Sequence, residues 1–389
     1  CMTKQEILNN QALQQHMLFF SPLNRKAQRD NSGPNGRPRL HYVEEKQGVK
    51  ILDYGVAEFN FYAPEAKTVS VKGWGGSMPQ QFDLHPTENG YWQCVGEGIL
   101  PGFHYCDFYV DGVRTINQLA PVGYGGFRVV NFFEMPEAGS AFWLLQNVPH
   151  GDVRMEQYTS SVNGRVKAAW VYTPPTYDQN PDKRYPVLYI QHGVGENETG
   201  WIWQGKLNYI ADNLIAEGKC EEMIIVINSG YAFVDGQIDM FLPGDFDREL
   251  VHDCIPFIDK KFRTLTDKDH RAIAGLSLGS AQAFTIGLAH RKDTFSYVGV
   301  FSGGVAAKSA FGGYDMTDVF ADGEAFNRDI KLLFVSWGTH EPMGEHNAEF
   351  LDQIEREQGI KAVRHTHEGW HEWDVWRYAA HAYMQLLFK

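Results

Sequence analysis

Hydrophobic and polar residues follow two different patterns along this chain, and the pattern changes near residue 137. Between residues 50 and 135, apolar and polar residues alternate over short runs that Gly, Pro and Asn-Gly turns separate. Alternation with a period of two is typical of strands that bury one face, and short runs of this kind predict an antiparallel β-sandwich. We therefore expect a polar leader at residues 1–40 and a sandwich domain at residues 41–137.

From Tyr185 onwards, the apolar residues form continuous runs separated by stretches of helix length. Five such runs cover residues 186–190, 223–227, 271–274, 297–301 and 331–335. Continuous apolar strands are typical of a parallel sheet that helices cover on both faces. For residues 138–389 we predict the α/β fold class, a doubly wound, mostly parallel sheet with its ligand chemistry at the carboxyl ends of the strands.

Composition and charge narrow the class of protein. The chain has 389 residues, of which 43% are hydrophobic and 21% are charged, as is usual for folded globular domains. Its formal net charge of −13 opposes binding to a phosphate backbone. No apolar run reaches the roughly 18 to 20 residues that cross a bilayer. We therefore expect neither nucleic acid binding nor a membrane span, and the oligomeric state stays open.

The first residues leave the cellular location open. Cys1 precedes Met2, so it is either the lipid-bearing residue of a processed, exported lipoprotein or a residue added before the natural start. The next residues lack an apolar signal core and a Ser/Gly-rich tether. Their absence favours the second interpretation and a cytoplasmic protein.

A serine between two glycines carries the strongest chemical signal. The pentapeptide G-L-S-L-G at residues 275–279 follows a predicted strand and opens a predicted helix. A nucleophilic serine requires this context, because the tight turn needs small neighbours and the helix N-terminus stabilises a developing oxyanion. We predict that Ser277 is the nucleophile and that the backbone N–H groups of Leu278 and Val194 form the oxyanion hole.

A serine nucleophile needs a base and an acid, which follow it along the chain in the order Ser, Asp/Glu, His. His371 follows the last predicted strand, and Glu341 follows the strand that ends near Ser336. We predict His371 as the base and Glu341 as the acid that holds its tautomer. Glu345 and Asp374 are the alternative acids.

The residues around His371 also match the zinc-protease pattern H-E-x-x-H, which begins at His367. That pattern binds zinc only when one helix places both histidines on the same face. Gly369 and the strand-like alternation before it disfavour a helix there. We expect neither a metal nor an organic cofactor.

Several tryptophans lie close in sequence to the predicted catalytic residues. We predict that two or more of them line a cleft for an aromatic or sugar ring. The candidate substrate-binding residues are Trp201, Trp203, Trp337 and Trp370. Residues 231–245, with Gly236, Pro243 and Gly244, are predicted to form a lid or a cleft wall.

Taken together, these motifs resemble carbohydrate esterase family 1, which includes feruloyl esterases, esterase D and relatives of enterochelin esterases. The resemblance rests on residues 189–195, 210–219, 271–279 and 371–373. It implies an α/β-hydrolase fold with the serine, histidine and oxyanion amides named above. Two positions depart from the family pattern: Glu341 stands where the family usually has Asp, and Ser280 where it often has glycine.

The N-terminal sandwich is similar to family 48 carbohydrate-binding modules and related early-set, immunoglobulin-like domains. The similarity rests on residues 61–66 and 102–112. This pattern is mostly structural, so sugar binding does not follow from it.

The resemblance and the motifs predict a serine carboxylester hydrolase that acts through an acyl-enzyme on feruloylated or acetylated plant polysaccharides or oligosaccharides. Feruloyl (hydroxycinnamoyl) esterase activity on xylan is the first expectation, and acetyl xylan esterase activity is the second. A siderophore-lactone (enterochelin-type) esterase and a non-catalytic carbohydrate-binding protein are the remaining alternatives.

Overall fold

The computed structural model describes residues 2–14, 25–44, 46–237, 244–309 and 313–389, so Cys1 and the question it raises lie outside the described part. The chain divides into two compact units. The first contains Cys1–Gly123 and Val129–Leu145, and the second contains Tyr124–Arg128 and Gln146–Lys389. The boundaries predicted at residues 40 and 137 stay predictions. Among the described helices, none has the length and apolar character that a membrane span requires.

Strands β1–β11 precede residue 136, together with one short helix, α1 (Lys4–Leu8). The strands are β1 (Arg25–Asp30), β2 (Arg39–Glu44), β3 (Val49–Asp53), β4 (Val56–Tyr62), β5 (Val69–Gly73), β6 (Gln81–Pro86), β7 (Tyr91–Gly96), β8 (Gly102–Val110), β9 (Val113–Thr115), β10 (Val122–Gly125) and β11 (Arg128–Met135). β1 and β2 form a separate antiparallel pair, and the other strands form one sheet in the order β10-β11-β8-β5-β6-β7-β4-β3, with β9 on β8.

The core of the first unit lies between the two halves of this sheet. β6 pairs with β5 and also with β7, so it belongs to both halves. Phe59, Val71 and Phe108 are fully buried and come from strands of both halves. Side chains alternate between the two faces of a strand, and β4 and β5 bury mainly the face toward this core, whereas β11 is buried on both faces. The predicted antiparallel sandwich is confirmed.

The second unit contains strands β12–β21 and helices α2–α9. The strands are β12 (Asp152–Thr159), β13 (Val166–Thr173), β14 (Val187–Gln191), β15 (Ile224–Asn228), β16 (Arg271–Leu276), β17 (Tyr297–Phe301), β18 (Lys308–Ser309), β19 (Tyr314–Asp315), β20 (Leu332–Gly338) and β21 (Val363–His367). The helices are α2 (Gly200–Trp203), α3 (Leu207–Ala216), α4 (Phe246–Arg248), α5 (Ile255–Lys261), α6 (Leu278–Ala289), α7 (Gly323–Asp329), α8 (Gly344–Gln358) and α9 (Trp373–Met384).

The main sheet of the second unit has the strand order β12-β13-β15-β14-β16-β17-β20-β21. The pairs from β15 to β21 are parallel, which confirms the predicted α/β fold. β12 and β13 extend it as antiparallel strands that the sequence analysis did not predict. β12, the edge strand, mixes apolar residues with charged ones such as Arg154 and Glu156, because an edge strand needs fewer buried side chains than a central one.

The four central strands explain the continuous apolar runs. Every residue of β14, β15, β16 and β17 is buried. β16 has the loops after β14 and β15 on one side and the loops after β17, β20 and β21 on the other. This order determines which residues can approach the turn after β16 from each side.

Candidate active site

Ser277 lies in the tight turn between β16 and α6. Its φ of 52° and ψ of −117° lie outside the regions that residues with a side chain normally adopt. A Cβ atom at Gly275 would lie 2.3 Å from the carbonyl oxygen of Gly279, and a Cβ atom at Gly279 would lie 2.6 Å from that of His192. The two glycines are therefore needed for close packing around the turn, which puts Ser277 at the carboxyl end of a central strand.

His371 and Glu341 form a hydrogen-bonded pair. Nδ1 of His371 lies 2.5 Å from Oε1 of Glu341, and the side chains of the two residues are 44% and 1% exposed, respectively. A buried carboxylate needs partners for both oxygens. Oε2 of Glu341 accepts hydrogen bonds from the Ser302 hydroxyl (2.7 Å) and from the Gly338 N–H (2.5 Å). With Nδ1 bound to Glu341, Nε2 becomes the nitrogen of His371 that can exchange a proton with a substrate.

Ser302 connects this acid to the serine turn. It directly follows Phe301, the last residue of β17, whose carbonyl accepts the Ser277 N–H (3.0 Å). Ser302 has a φ of 55°, and its own N–H donates to the carbonyl of Ser336 in β20 (2.8 Å). Backbone strain of this kind persists only where the surrounding structure holds it. Two successive residues therefore hold the Ser277 turn and the carboxylate that orients His371.

The loop after β14 lies next to Ser277. A Cβ atom on Gly193 would lie 3.4 Å from the Cβ atom of Ser277. The N–H of Gly193 donates to Oε2 of Glu196 (3.2 Å), and the N–H of Gly195 donates to the hydroxyl of Tyr231 (2.8 Å). Both flanking amides of this loop are thus bonded within the protein.

The two amides predicted to form the oxyanion hole occupy suitable positions. Val194 lies between Gly193 and Gly195, and no group in the described part of the chain accepts its N–H. Leu278 is the first residue of α6, where helical hydrogen bonding does not use the N–H. The predicted role of the Val194 and Leu278 N–H groups is to donate to the carbonyl oxygen of an ester bound beside Ser277. Their role stays a prediction.

His192 holds the loop after β14 in place. Its ring is fully buried, and this burial lowers the pKa of His192 to about 4, so the ring is neutral at neutral pH. Nε2 accepts the N–H of Gly230 (3.0 Å), so Nδ1 carries the proton and donates to the carbonyl of Gly193 (2.8 Å). The neutral ring thereby connects the loop after β14 to the segment after β15.

Glu196 connects the same loop to the helix that follows His371. One carboxylate oxygen accepts the Gly193 N–H, and the other accepts the indole N–H of Trp373 (2.9 Å) at the start of α9. Trp373 is buried and lies two residues after His371. The carboxylate of Glu196 therefore connects the loop after β14 to the start of α9, two residues after His371.

The four predicted substrate-binding tryptophans fall into two groups. Trp201 is fully buried with its indole N–H on the carbonyl of Gln191 (2.8 Å), and Trp337 is only 9% exposed and packs in the main core. Both are core residues, so the prediction that they line a cleft is wrong. Trp203 packs edge-on against Trp170, and Trp370 stacks on His340. Both are half-buried, and their role in binding stays a prediction.

The alternative acids occupy other positions. Glu345 is exposed on α8. Asp374 lies in the first turn of α9, where burial, assisted by the charge of Glu372, raises its pKa to about 7. Within the described residues, Glu341 is the carboxylate that contacts Nδ1 of His371.

The H-E-x-x-H pattern spans the end of a strand and the following loop. His367 is the last residue of β21, and its ring stacks on Tyr378 with 3.6 Å between the ring centres. His371 lies beyond the strand and contacts Glu341. The two histidines therefore do not share a helix face, which the zinc pattern needs.

The sequence analysis did not identify Ser302, Glu196 and Tyr231 as site residues, although Tyr231 opens the predicted cleft wall. All three follow the carboxyl end of a central strand, as the predicted catalytic residues do. Position after a buried strand is thus a signal that could have found them. It gives no indication of which atoms they contact.

Comparisons with known proteins agree on the type of fold and family. A family model described as "putative esterase" matches residues 159–383. An endo-1,4-beta-xylanase/feruloyl esterase from Xylanibacter ruminicola is 36% identical over 380 residues, which are 92% of this chain and 49% of that protein. This chain therefore spans about half the length of that relative.

Solved structures show the same architecture. A ferulic acid esterase is 27% identical with a TM-score of 0.53 and covers 61% of this chain and 98% of its own. The enterobactin esterase from Shigella flexneri is 15% identical with a TM-score of 0.62 and covers 88% of this chain and 98% of its own. At 15% identity the second likeness concerns the fold alone.

Proposed function

The chain belongs to this esterase family, and on that premise we propose that it is a feruloyl esterase that hydrolyses hydroxycinnamoyl esters of plant cell-wall xylan or its oligosaccharides. One observation carries the reaction type: the buried carboxylate of Glu341 holds Nδ1 of His371, while Ser277 occupies a tight turn at the end of β16. The substrate class rests on the similarity of 92% of the chain to about half of a relative named as an endo-1,4-beta-xylanase/feruloyl esterase.

The first half of the reaction forms an acyl-enzyme. The hydroxyl oxygen of Ser277 attacks the ester carbonyl carbon while Nε2 of His371 takes the hydroxyl proton. The carbonyl oxygen becomes an oxyanion, which the N–H groups of Leu278 and Val194 stabilise. When the bond to the alcohol oxygen breaks, His371 returns the proton to that oxygen. Glu341 stabilises the imidazolium that exists between these two transfers.

The second half releases the acid. A water molecule gives a proton to Nε2 of His371 and attacks the carbonyl carbon of the acyl-enzyme. The bond between that carbon and the oxygen of Ser277 breaks, and the serine oxygen receives the proton. The products are a hydroxycinnamate and a free Ser277, so one histidine serves both halves.

The test is a comparison of three substrates with two enzymes. Methyl ferulate, p-nitrophenyl acetate and a catechol-siderophore lactone are offered to the wild type and to Ser277→Ala, with the exposed Ser161→Ala as the matched control. We expect the highest kcat/KM for methyl ferulate, a loss of kcat by about 10⁴-fold to 10⁶-fold in Ser277→Ala, and no loss in the control. Undiminished turnover by Ser277→Ala would contradict the mechanism. Preference for the lactone or for the acetate would contradict the substrate class.

A further inference from the structure

The segment Tyr124–Arg128 belongs to the second unit, although the chain on both sides of it belongs to the first. The N–H of Phe127 donates to the carbonyl of Gly195 (2.9 Å), and the carbonyl of Tyr124 accepts from the side-chain amide of Gln204 (2.9 Å). A Cβ atom on Gly195 would lie 2.9 Å from Cα of Gly126. The segment therefore packs directly against the loop that carries Val194.

Three aromatic rings lie together beside the loop after β14 that carries Val194. The ring centres of Phe127 and Tyr231 are 6.4 Å apart, and Tyr231 stacks on Phe233 at 5.4 Å with an angle of 13° between the rings. Phe127 is 49% exposed and has a φ of 60°. Gly126 (φ 58°) and Phe127 form the two-residue turn between β10 and β11, and positive φ at both positions is typical of such hairpin turns. The turn leaves about half of the Phe127 side chain exposed for contact with a ligand. We call Phe127, Tyr231 and Phe233 the aromatic wall.

Tyr231 holds the wall at a fixed place relative to Val194. Its hydroxyl accepts the Gly195 N–H (2.8 Å) and lies 3.3 Å from the carbonyl of Gly193, to which it donates. Its backbone carbonyl accepts a hydrogen bond from the buried ammonium of Lys167, which is paired with Glu249. A tyrosine held at both ends presents a rigid ring, so the wall is preorganised for a ligand.

The order of the strands tells which part of an ester would meet this wall. His371 must give its proton to the alcohol oxygen, so the alcohol lies toward the loop after β21. The loops after β14 and β15, which carry Val194 and Tyr231, lie on the opposite side of β16. The acyl group is the third substituent of the carbonyl carbon, and where it extends away from His371 it meets the loops after β14 and β15, which the aromatic wall adjoins.

We propose that the aromatic wall binds the acyl group of the ester and that Phe127 determines the preference for an aromatic acyl group over an acetyl group. The inference rests on the proposed function, since it names the residues that would recognise the hydroxycinnamoyl ring. An aromatic ring gains contact area against Phe127 and Tyr231, whereas a single methyl group leaves most of the wall empty. A neutral wall also avoids placing a second charge beside the developing oxyanion.

The decisive variant is Phe127→Ala, with Phe127→Tyr as the conservative variant and Val113→Ala, at an exposed position of β9, as the control outside the wall. We expect kcat/KM for methyl ferulate to fall about tenfold in Phe127→Ala, mainly through KM, because the contact between the two aromatic rings is lost; tenfold corresponds to about 1.4 kcal/mol. For p-nitrophenyl acetate we expect a change of less than about twofold. Phe127→Tyr should restore ferulate turnover, and Val113→Ala should behave as the wild type.

Three results would overturn the inference. Equal losses for ferulate and acetate would assign Phe127 to the conformation of the oxyanion loop. A loss with feruloylated arabinoxylan oligosaccharides but not with methyl ferulate would place the sugar against the wall. Unchanged ferulate turnover would remove Phe127 from binding altogether.

Hydrolysis of methyl ferulate by the wild type tests the proposed function separately from the role of Phe127. If the wild type does not hydrolyse methyl ferulate, calorimetric titration with ferulate still decides the inference. Weaker binding to Phe127→Ala than to the wild type supports the wall, and equal or undetectable binding to both overturns it.

Discussion

The loops on the two sides of β16 differ in how they present chemistry to an ester. On the side of β17, β20 and β21, the contacts are between side chains, and the buried carboxylate of Glu341 joins Ser302 to His371. On the side of β14 and β15, the loop beside Ser277 is held by the neutral rings of His192 and Tyr231 and by the carboxylate of Glu196.

The difference follows from the charge that each side must stabilise. In the proposed mechanism, positive charge develops on His371 during proton transfer, so a carboxylate at hydrogen-bond distance is favourable there. Negative charge develops on the carbonyl oxygen, so the other side needs N–H donors. Burial that keeps His192 neutral suits this requirement, because a neutral ring can accept the Gly230 N–H and donate to the Gly193 carbonyl.

The largest effect is expected on the proton-transfer side. Glu341→Ala removes the carboxylate that fixes the tautomer of His371, and kcat should fall about a thousandfold to ten-thousandfold. The matched control is Glu345→Ala, since Glu345 is an exposed glutamate on α8, and its kcat should stay within about twofold of the wild-type value. Steady-state kinetics on methyl ferulate measure both. A larger loss of kcat in Glu345→Ala than in Glu341→Ala would contradict the assignment of Glu341 as the acid.

A smaller effect, on stability, is expected on the other side. The folded pKa of His192 is about 4, below the ordinary value of 6.5, because of burial. Between these values the unfolded chain binds more protons than the folded one, so stability falls as the pH falls. The expected loss of unfolding free energy from pH 7 to pH 5 is roughly 2 kcal/mol from this group.

Denaturant unfolding at several pH values checks this expectation. Burial also lowers the pKa of His104 in the first unit to about 4, so His104 adds to the pH dependence of the wild type. The contribution of His192 is therefore the difference in pH dependence between the wild type and His192→Asn. His192→Asn should lose less stability than the wild type over this range. Identical pH dependence in both proteins would show that His192 is not held neutral.

The two sides also differ in how far the sequence could predict them. Ser277, Glu341 and His371 could be proposed from the sequence because each follows a predicted strand. The parallel sheet could be predicted because strands buried on both faces are continuously apolar. The contact between His371 and Glu341 joins the loops after the neighbouring parallel strands β21 and β20.

The aromatic wall could not be found in this way. Phe127 comes from a segment between β10 and β11, far in sequence from Tyr231, and only the folded chain brings them together. Trp201 shows the opposite error: its position after a strand suggested a cleft, but its indole N–H is satisfied by the Gln191 carbonyl inside the core. Sequence position shows which edge of the sheet a residue approaches, whereas its exposure depends on packing between distant segments.

The most direct test of the account is to trap the acyl-enzyme. p-Nitrophenyl ferulate is mixed with the enzyme, the reaction is quenched with acid within the first turnover, and the peptides are analysed by mass spectrometry. We expect one feruloyl group per chain, on the peptide that contains Ser277, and none on Ser277→Ala. A feruloyl group on another residue, or equal labelling of Ser277→Ala, would contradict it.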